Sequence, residues 1–233
     1  KFRYILNRAV GFLLSPNVAC LQWLDMEKSV ITIIGLGRGG KALLKVLSEQ
    51  GFEVISAYNR SDIIESSIKS YAGTQFYVGD EFSKLQLGDW VFITVSDDAI
   101  SPIAKELAQL QKGFENKMVV HCSGTLSSQV LEPLRQKGST TASFHPLKSI
   151  TPKTTNFSNT WFDVEGDEYA LITLKKVANI LGAKALQISP EAKPLLHAAA
   201  VAASNYIVVL ADLVTKIAAE AEISESVALQ ALT

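Results

Sequence analysis

The feature that most constrains this sequence is a glycine-rich turn placed directly after a short apolar run. Residues 30–34 read Val-Ile-Thr-Ile-Ile, and residues 35–40 read Gly-Leu-Gly-Arg-Gly-Gly. A β-branched run of this length is typical of a buried parallel strand. Residues 41–50 then carry apolar side chains at helical spacing, Gly51 can cap that helix, and residues 53–57 predict a second strand. The pattern therefore predicts one β-α-β unit with glycines at its first turn.

The spacing of the glycines in this turn indicates a dinucleotide site. In Gly35-x-Gly37-x-x-Gly40, the first glycine allows the tight turn, the second lets the backbone approach a pyrophosphate, and the third lets helix and strand pack closely. The phosphates would lie on backbone N–H groups at the helix N-terminus, where the helix dipole favours negative charge. The alternative is that the glycine turn has a purely structural role and binds no ligand. The predicted contacts are Gly35, Leu36, Gly37, Arg38, Gly39 and Gly40, with Arg38 adding a cation near the phosphates.

The residues after the second predicted strand indicate which dinucleotide binds. An Asp or Glu at this place takes the ribose 2′-hydroxyl of NAD, whereas a basic group takes the 2′-phosphate of NADP. The sequence has Asn59, Arg60 and Ser61 here, so it offers a guanidinium and a hydroxyl but no carboxylate. We therefore predict NADP(H) as the cofactor. The alternatives are that Arg60 is a solvated loop residue and that the cofactor is NAD.

Strand and helix patterns continue to alternate downstream. Strands are predicted at residues 90–95, 118–121 and 143–144, and helices at residues 63–71, 100–111 and 126–136. After a polar stretch, residues 169–174 and 185–188 are interpreted as extra strands or an added lobe, with a helix between them through residue 181. Such alternation is typical of an α/β fold with a doubly wound, mainly parallel sheet of the Rossmann type.

The character of the sequence changes after Pro190. Residues 194–222 predict one long, alanine-rich helix, which begins an all-α C-terminal domain. Its apolar part, residues 198–211, is shorter than the roughly 20 residues that span a bilayer and is interrupted by polar side chains, so a buried helix is favoured over a membrane span. We expect three parts: residues 1–25, an upstream extension or a weak export signal; residues 26–190, the dinucleotide domain; and residues 191–233, a helical domain that stops early.

Composition narrows the set of partners. The formal net charge is −1, and acidic and basic residues are interspersed, which argues against nucleic acid and anionic membranes. The two cysteines, Cys20 and Cys122, match no zinc or redox spacing and fit a reducing compartment, and we predict no metal site. We expect a cytoplasmic protein whose partners are a small-molecule substrate and a second copy of itself.

Ligands of open α/β sheets lie outside the carboxyl ends of the strands, so the residues that follow two of the predicted strands are candidate cofactor contacts. Ser96 or Asp97 could equally cap the N-terminus of the next helix, and capping is compatible with contact to the cofactor. Gly124 suggests a close backbone approach to a ligand, while the neighbouring His121 could simply be buried. The predicted contacts of this group are Val95, Ser96, Asp97, Ser123 and Gly124.

Candidate substrate-side residues come from a third strand end and from the long helix. His145 ends a strand and is followed by proline. Lys193 and His197 lie one helical turn apart, and at 3.6 residues per turn the same polar stripe continues to Ser204 and Asn205. We predict His145, Lys193, His197 and Asn205 as catalytic candidates, with Lys193 or His197 as proton donor and Asn205 as a substrate anchor. The alternative is that these groups satisfy one another at a helix interface.

Together these motifs resemble a group of Rossmann-like NADP oxidoreductases of largely unknown function, similar in architecture to pyrroline-5-carboxylate reductase and 6-phosphogluconate dehydrogenase. The resemblance covers residue 27 to the end, and residues 59–61, 95–98, 121–124, 144–147 and 197–205 carry it. It implies an NADP-binding domain and a helical domain that dimerises and closes the active site. Hydroxyacid dehydrogenases of this type place a catalytic lysine and asparagine one turn apart, whereas Lys193 and Asn205 are three turns apart.

The sequence therefore predicts an NADP(H)-dependent oxidoreductase that transfers a hydride between nicotinamide and a small C=O or C=N substrate. In such a protein the cofactor supplies the chemistry, and the chain supplies orientation and electrostatics. A non-catalytic NADP-binding sensor or interaction protein is the alternative, because the sequence contains no unambiguous catalytic pair and fold does not determine function.

Overall fold

A computed structural model describes residues 29–61, 68, 71, 73–110, 113–152 and 154–232. The predicted leader at residues 1–25 lies outside the described residues, as does most of the helix predicted at residues 63–71. The described residues therefore cover the predicted dinucleotide domain from its first strand onward.

One eight-stranded sheet organises the described residues, in the order β3-β2-β1-β4-β5-β6-β7-β8. Neighbouring strands are parallel except for β6 and β7, which are antiparallel. The first six strands have the Rossmann order, so the predicted α/β fold with a doubly wound, mainly parallel sheet is confirmed. The strands are β1 (Val30–Ile34), β2 (Glu53–Asn59), β3 (Gln75–Val78), β4 (Trp90–Ile93), β5 (Met118–His121), β6 (Thr140–Pro146), β7 (Trp161–Gly166) and β8 (Lys184–Gln187).

Helices connect the strands and then continue alone after β8. The α-helices are α1 (Arg38–Glu49), α2 (Asp97–Leu110), α3 (Glu132–Arg135), α4 (Glu168–Ile180), α5 (Lys193–Val201), α6 (Ile207–Glu220) and α7 (Glu225–Leu232). Short 3₁₀ turns lie at Gly79–Lys84, Ser128–Leu131 and Pro190–Ala192, and a π turn at Ala202–Tyr206 joins α5 to α6. The change from sheet to helical structure thus falls between Gln187 and Lys193.

The sheet has an apolar core on each of its faces. Ile33 belongs to the core that α1 and α4 cover, whereas its neighbour Ile34 belongs to the core that α2 and α3 cover. Because successive side chains of a strand point to opposite faces, a continuous apolar run such as β1 serves both cores at once. Burial on both faces is possible only for a strand inside the sheet, so the continuous apolar run of β1 predicts a central strand.

The sequence analysis missed two strands and assigned two other segments wrongly. Residues 169–174, interpreted as a strand, lie inside helix α4, and the strand of this region is β7 instead. β7 was missed because it carries the charged residues Asp163 and Glu165, both of which are buried. The edge strand β3 was also missed, and the helix predicted at residues 126–136 is a 3₁₀ turn followed by the short α3.

The long C-terminal helix is exposed within a single chain. Pro190–Glu220, 31 residues long, is the one helix of the described part that is long and apolar enough to cross a membrane by length and composition. Exposed fractions on α6 reach 67% at Val208 and 63% at Ile217. The burial predicted for residues 198–211 is therefore not found among the described residues, none of which covers this face.

Candidate functional site

A cavity of about 840 Å³ lies at the carboxyl ends of β1, β2 and β4. The strand order reverses between β1 and β4, which is where open α/β sheets bind their ligands. The cavity joins three of the predicted segments. Its lining includes Gly35, Gly37, Tyr58, Asn59, Arg60, Ser61, Asp80, Thr94, Val95, Ser96, Asp98 and Glu106.

The glycine turn has the backbone geometry that the sequence predicts. Gly35 has a φ of 101°, a conformation that favours glycine. A Cβ added to Gly40 would lie 1.8 Å from the carbonyl oxygen of Gly35, so only glycine fits there. A Cβ added to Gly37 or Gly39 would meet no atom within 4 Å, so the backbone at these two positions borders open space.

The N-terminus of α1 is built to receive an anion. Its N-cap residue is Gly37, no side chain caps it among the described residues, and its first turn carries no acidic residue. The first N–H groups of a helix have no partner inside the helix, and the helix dipole makes this end positive. Open space beside Gly37 and Gly39 and free N–H groups together fit the pyrophosphate of a dinucleotide.

Thr94, which the sequence analysis did not single out, fixes the glycine turn to β4. Its hydroxyl donates a hydrogen bond to the carbonyl oxygen of Gly35 at 2.6 Å, and its backbone N–H donates to the carbonyl oxygen of Ile34 at 2.8 Å. The turn is therefore held from the neighbouring strand. The sequence signal that could have identified Thr94 is a hydroxyl residue directly after a buried strand.

Asn59 links the glycine turn to the end of β2. Its side-chain oxygen accepts a hydrogen bond from the N–H of Leu36 at 3.1 Å. Its side-chain nitrogen donates to the hydroxyl oxygen of Ser61 at 2.8 Å. Because that oxygen is the acceptor, the hydroxyl hydrogen of Ser61 is left to donate elsewhere. Arg60 and Ser61 are both exposed at the cavity.

Charges of both signs face this cavity. Asp80, Asp98 and Glu106 lie in its lining together with Arg60. A hydrogen bond from the Ser96 hydroxyl lowers the pKa of Asp98, and the Arg60 guanidinium lowers it further by a smaller amount. Arg60 therefore lines the same cavity as these three carboxylates.

Three of the remaining predicted cofactor residues, Arg38, Asp97 and Ser123, do not line this cavity. Arg38 lines a neighbouring cavity of about 310 Å³ together with Lys41 and Lys45. Asp97 begins α2 and accepts a hydrogen bond from the Thr125 hydroxyl at 2.5 Å. The hydroxyl oxygen of Ser123 accepts hydrogen bonds from the N–H groups of two following residues. Asp97 and Ser123 thus shape loops, while Val95 and Ser96 border the cavity itself.

A second polar cluster lies along the same sheet edge, on β6, β7 and the start of α5. The carboxylate of Asp163 is shared: Oδ1 accepts from Lys193 Nζ at 2.6 Å, and Oδ2 bonds Nδ1 of His145 at 2.7 Å. Lys193 Nζ also donates to the hydroxyl of Ser143 at 2.7 Å. Lys193 is 0% exposed and Asp163 2%, so the pair is fully desolvated.

His197 completes this cluster from the next turn of α5. Its ring centroid lies 5.6 Å from that of His145, in an edge-on arrangement. Gly124 faces both rings: an added Cβ would lie 2.4 Å from His197 Nδ1 and 2.8 Å from His145 Nε2. The structure thus brings together His145, Lys193 and His197, three of the predicted catalytic candidates, and places beside them Gly124, which was predicted as a cofactor contact. It adds Asp163 and Ser143, which the sequence analysis missed.

His121 is a buried structural residue, the alternative considered for it in the sequence analysis. It is 0% exposed, and its Nδ1 accepts a hydrogen bond from the N–H of Ser123 at 3.2 Å. Burial lowers the pKa of His121 to about 4, and the charge of Lys193 contributes in the same direction. The side chain is therefore neutral under ordinary conditions.

Asn205 is not brought into the cluster. It lies exposed on the π turn, and its side-chain oxygen bonds the hydroxyl of Ser204 at 3.3 Å. Ser204 itself donates back to the carbonyl oxygen of Ala200 at 2.8 Å. The predicted polar stripe assumed 3.6 residues per turn throughout, and the wider π turn changes the phase of the helix between His197 and Ser204.

The strand order and the helices define a Rossmann-type fold, and comparison with known families agrees. The model of the Rossmann-like domain matches residues 22–146, more than half of the chain, so the chain belongs to the Rossmann-like family. A second model, of a domain of unknown function called DUF2520, matches residues 160–233. No functionally curated protein matches the sequence.

Solved structures share the architecture over most of the chain. "Putative NADP oxidoreductase" BF3122 of Bacteroides fragilis is 18% identical, with a TM-score of 0.72 over 89% of this chain and 78% of its own. Protein TM1727 of Thermotoga maritima is 29% identical, with a TM-score of 0.65 over 85% and 73%. Pyrroline carboxylate reductase of Plasmodium falciparum, with NADP bound, is 15% identical, with a TM-score of 0.60 over 89% and 77%. The resemblance inferred from the motifs is confirmed.

Proposed function

We propose that this protein is an NADP(H)-dependent oxidoreductase that acts on a small C=O or C=N substrate. One observation carries the proposal: a single cavity joins an uncapped glycine turn to Arg60 and Ser61 at the end of β2. The names of the structural relatives, one of them with NADP bound, support it. When bound, the nicotinamide supplies or accepts the hydride, and the chain binds, orients and handles the proton.

The proposed cofactor contacts follow from the donors that face the cavity. The first N–H groups of α1 hold the pyrophosphate. The guanidinium of Arg60 and the hydroxyl hydrogen of Ser61 hold the 2′-phosphate, which a planar cation and a neutral donor suit well. Asn59 keeps the two parts in a fixed relation, because it bonds both of them.

The proposed substrate side is the cluster around His145, next to the cofactor cavity along the sheet edge. Ile93 of β4 pairs with His121 of β5, which pairs with Ser143 of β6. The ends of these strands therefore lie in order from the cavity to His145. His145 and His197 face the substrate in this arrangement. Lys193, which is fully buried and tied to Asp163, positions other groups and does not itself donate a proton to substrate.

We propose further that the helical domain pairs with a second copy of the chain in the cytoplasm. Large exposed apolar patches mark interaction surfaces, and α6 carries such a patch along Ile207, Val208, Leu210, Leu213 and Ile217. Light scattering of the purified protein is expected to give a dimer, and Leu213→Glu is expected to give monomer. Recovery of the protein with lipid vesicles after flotation would instead point to a membrane partner.

The deciding experiment is calorimetric titration of NADPH and NADH into the wild-type protein, Arg60→Ala and Arg38→Ala. We expect Arg60→Ala to weaken NADPH about tenfold or more, since one lost charged pair costs roughly 1.4 kcal/mol or more, and to leave NADH nearly unchanged. Arg38→Ala is the matched control: it removes a cation outside this cavity and should affect both cofactors alike.

Each outcome of that titration has a distinct meaning. Equal affinity for both cofactors, unchanged by Arg60→Ala, would overturn the 2′-phosphate assignment. Binding of neither cofactor would overturn the dinucleotide site itself. A screen of small keto acids and cyclic imino acids for NADPH oxidation then tests catalysis, and tight NADPH binding without any turnover would favour the non-catalytic sensor.

A further inference from the structure

We infer that Asp163, held by Lys193, fixes His145 as the proton-transfer group of this site, and that the substrate therefore interconverts a hydroxyl and a carbonyl group. The substrate class rests on the proposed oxidoreductase function. The state of His145 depends only on its neighbours in the chain. The two parts can therefore be tested separately.

The position of Asp163 is set by the sheet. β6 and β7 are antiparallel, and His145 lies directly opposite Asp163 in the register. Directly opposite residues of an antiparallel pair project to the same face with their Cβ atoms close together. The contact between the two side chains is therefore built into the strand pairing. This arrangement makes Asp163 a positioning residue for His145.

The partners of Asp163 determine where its protons are. Lys193 has only hydrogen-bond donors, and it donates to Asp163 and Ser143 from a fully buried position. A buried ammonium requires a compensating negative charge, so Asp163 is the ionised carboxylate of the pair. An ionised carboxylate can only accept, and the hydrogen of the 2.7 Å bond to His145 must therefore lie on Nδ1.

One tautomer of His145 follows from this arrangement. With the hydrogen on Nδ1, neutral His145 carries its lone pair on Nε2, and the imidazolium form has a transferable proton there. The side chain is 17% exposed, and Nε2 faces Gly124, where an added Cβ would lie only 2.8 Å from it. The buried Nδ1 of His197 faces the same place and has no hydrogen-bond partner in the described part of the chain. Two imidazole nitrogens thus converge on one point beside the Gly124 backbone.

An oriented Asp–His pair suits a carbonyl substrate better than an imine. When hydride adds to a carbonyl carbon, the C=O π electrons move to oxygen, which takes a proton from Nε2 of imidazolium His145; the products are an alcohol and neutral His145. In the reverse direction the hydroxyl proton passes to Nε2 as the hydride leaves carbon. A protonated imine, in contrast, becomes a neutral amine on hydride addition and needs no proton from the chain.

The tautomer can be measured by NMR on the whole protein with ¹⁵N-labelled histidine. The chain has only three histidines, so His121→Gln and His197→Gln assign the signals. In wild type we expect His145, once neutral, to show a protonated Nδ1 and a bare Nε2. In Asp163→Asn the amide oxygen is held by Lys193 and the amide NH₂ faces His145. Nδ1 must then accept, and the proton moves to Nε2.

Ser143→Ala is the matched control for the NMR measurement. It removes one bond of Lys193 but keeps the Asp163 carboxylate, so the wild-type tautomer should persist. A neutral His145 with its proton on Nε2 in wild type, or the same tautomer in wild type and Asp163→Asn, would overturn the positioning role. Because no cofactor is present, failure to bind NADPH would overturn only the proposed function.

The substrate class is tested with NADPH and two panels of probes, 2- and 3-keto acids and cyclic imino acids. We expect turnover of a keto acid, reduced by up to about 10⁴-fold in Asp163→Asn, the effect of the same change in other Asp–His pairs. The loss should fall on kcat more than on KM, because the substrate still meets an imidazole. Turnover confined to imino acids, or turnover of neither panel, would overturn the carbonyl assignment.

Discussion

The two ends of the candidate site are built in different ways. At β1 and β2 the backbone itself forms the site, and its main parts lie within six consecutive residues, Gly35–Gly40. At β6 and β7 side chains form the site, and Lys193 reaches Ser143 across 50 positions of sequence. A backbone site depends on local conformation, whereas a side-chain site depends on burial, charge compensation and strand register. The two ends should therefore respond differently to substitution.

The largest expected effect on cofactor affinity comes from Gly40→Ala. The added Cβ would lie 1.8 Å from the carbonyl oxygen of Gly35, so the turn must open. We expect at least a roughly 100-fold loss of NADPH affinity, about 2.7 kcal/mol or more, together with a lower Tm. Calorimetry and thermal unfolding measure the two effects. Gly39→Ala is the control for folding, since its Cβ meets nothing within 4 Å and Tm should hardly change. Equal effects of both variants on Tm would contradict a turn fixed by close packing.

The second prediction tests the buried charges at the other end. Lys193→Met leaves the Asp163 carboxylate buried without its cation, and such a loss costs about 3–5 kcal/mol of stability. The double variant Lys193→Met/Asp163→Leu removes both charges and should recover most of that loss, while activity stays low because His145 loses its orienting partner. Urea unfolding of the single and double variants gives the coupling energy. A cost under about 1 kcal/mol for the single variant would show that the pair is solvated.

The third prediction concerns the pH dependence of the free energy of unfolding. The pKa of His121 is about 4 in the native protein, against an ordinary value of 6.5, so the unfolded chain binds a proton at a higher pH than the native chain does. Stability from this group is complete above pH 6.5 and decreases as the pH falls to about 4, by about 3 kcal/mol in total. His121→Asn should show a flatter pH dependence in urea unfolding. Parallel curves for the two proteins would exclude His121 as the source.

The difference between the two ends also explains what could be predicted from the sequence. Gly35, Gly37 and Gly40 are constrained by their own backbone, so their spacing is visible without any tertiary information. Asp163 gave no comparable signal, because a charged residue within a strand looks like a loop until its buried partner is known. Lys193 was noticed only for its place on a helix, and its actual partners lie on strands.

A similar limit applies to the helical domain. Asn205 was predicted from regular helical spacing, and the π turn at Ala202–Tyr206 breaks that regularity. The exposed face of α6 was predicted to be buried, because an apolar helix pattern does not say whether its partner is the same chain or another copy. Periodicity shows that a face is apolar, and only tertiary contacts show what covers it.

The smallest predicted effect concerns Asn59, the place where the backbone-built end relies on a side chain. Asn59→Ala removes the acceptor of the Leu36 N–H and the donor to the hydroxyl and carbonyl oxygens of Ser61, three neutral hydrogen bonds worth about 1 kcal/mol each at most. We expect a five- to tenfold weaker affinity for NADPH, about 1–1.4 kcal/mol, and a similar loss of stability. Ser61→Ala is the control, since it leaves the bond to Leu36 intact and should weaken NADPH without weakening NADH. A loss in Asn59→Ala as large as that in Gly40→Ala would mean that the cofactor end, like the proton-transfer end, is held mainly by side chains.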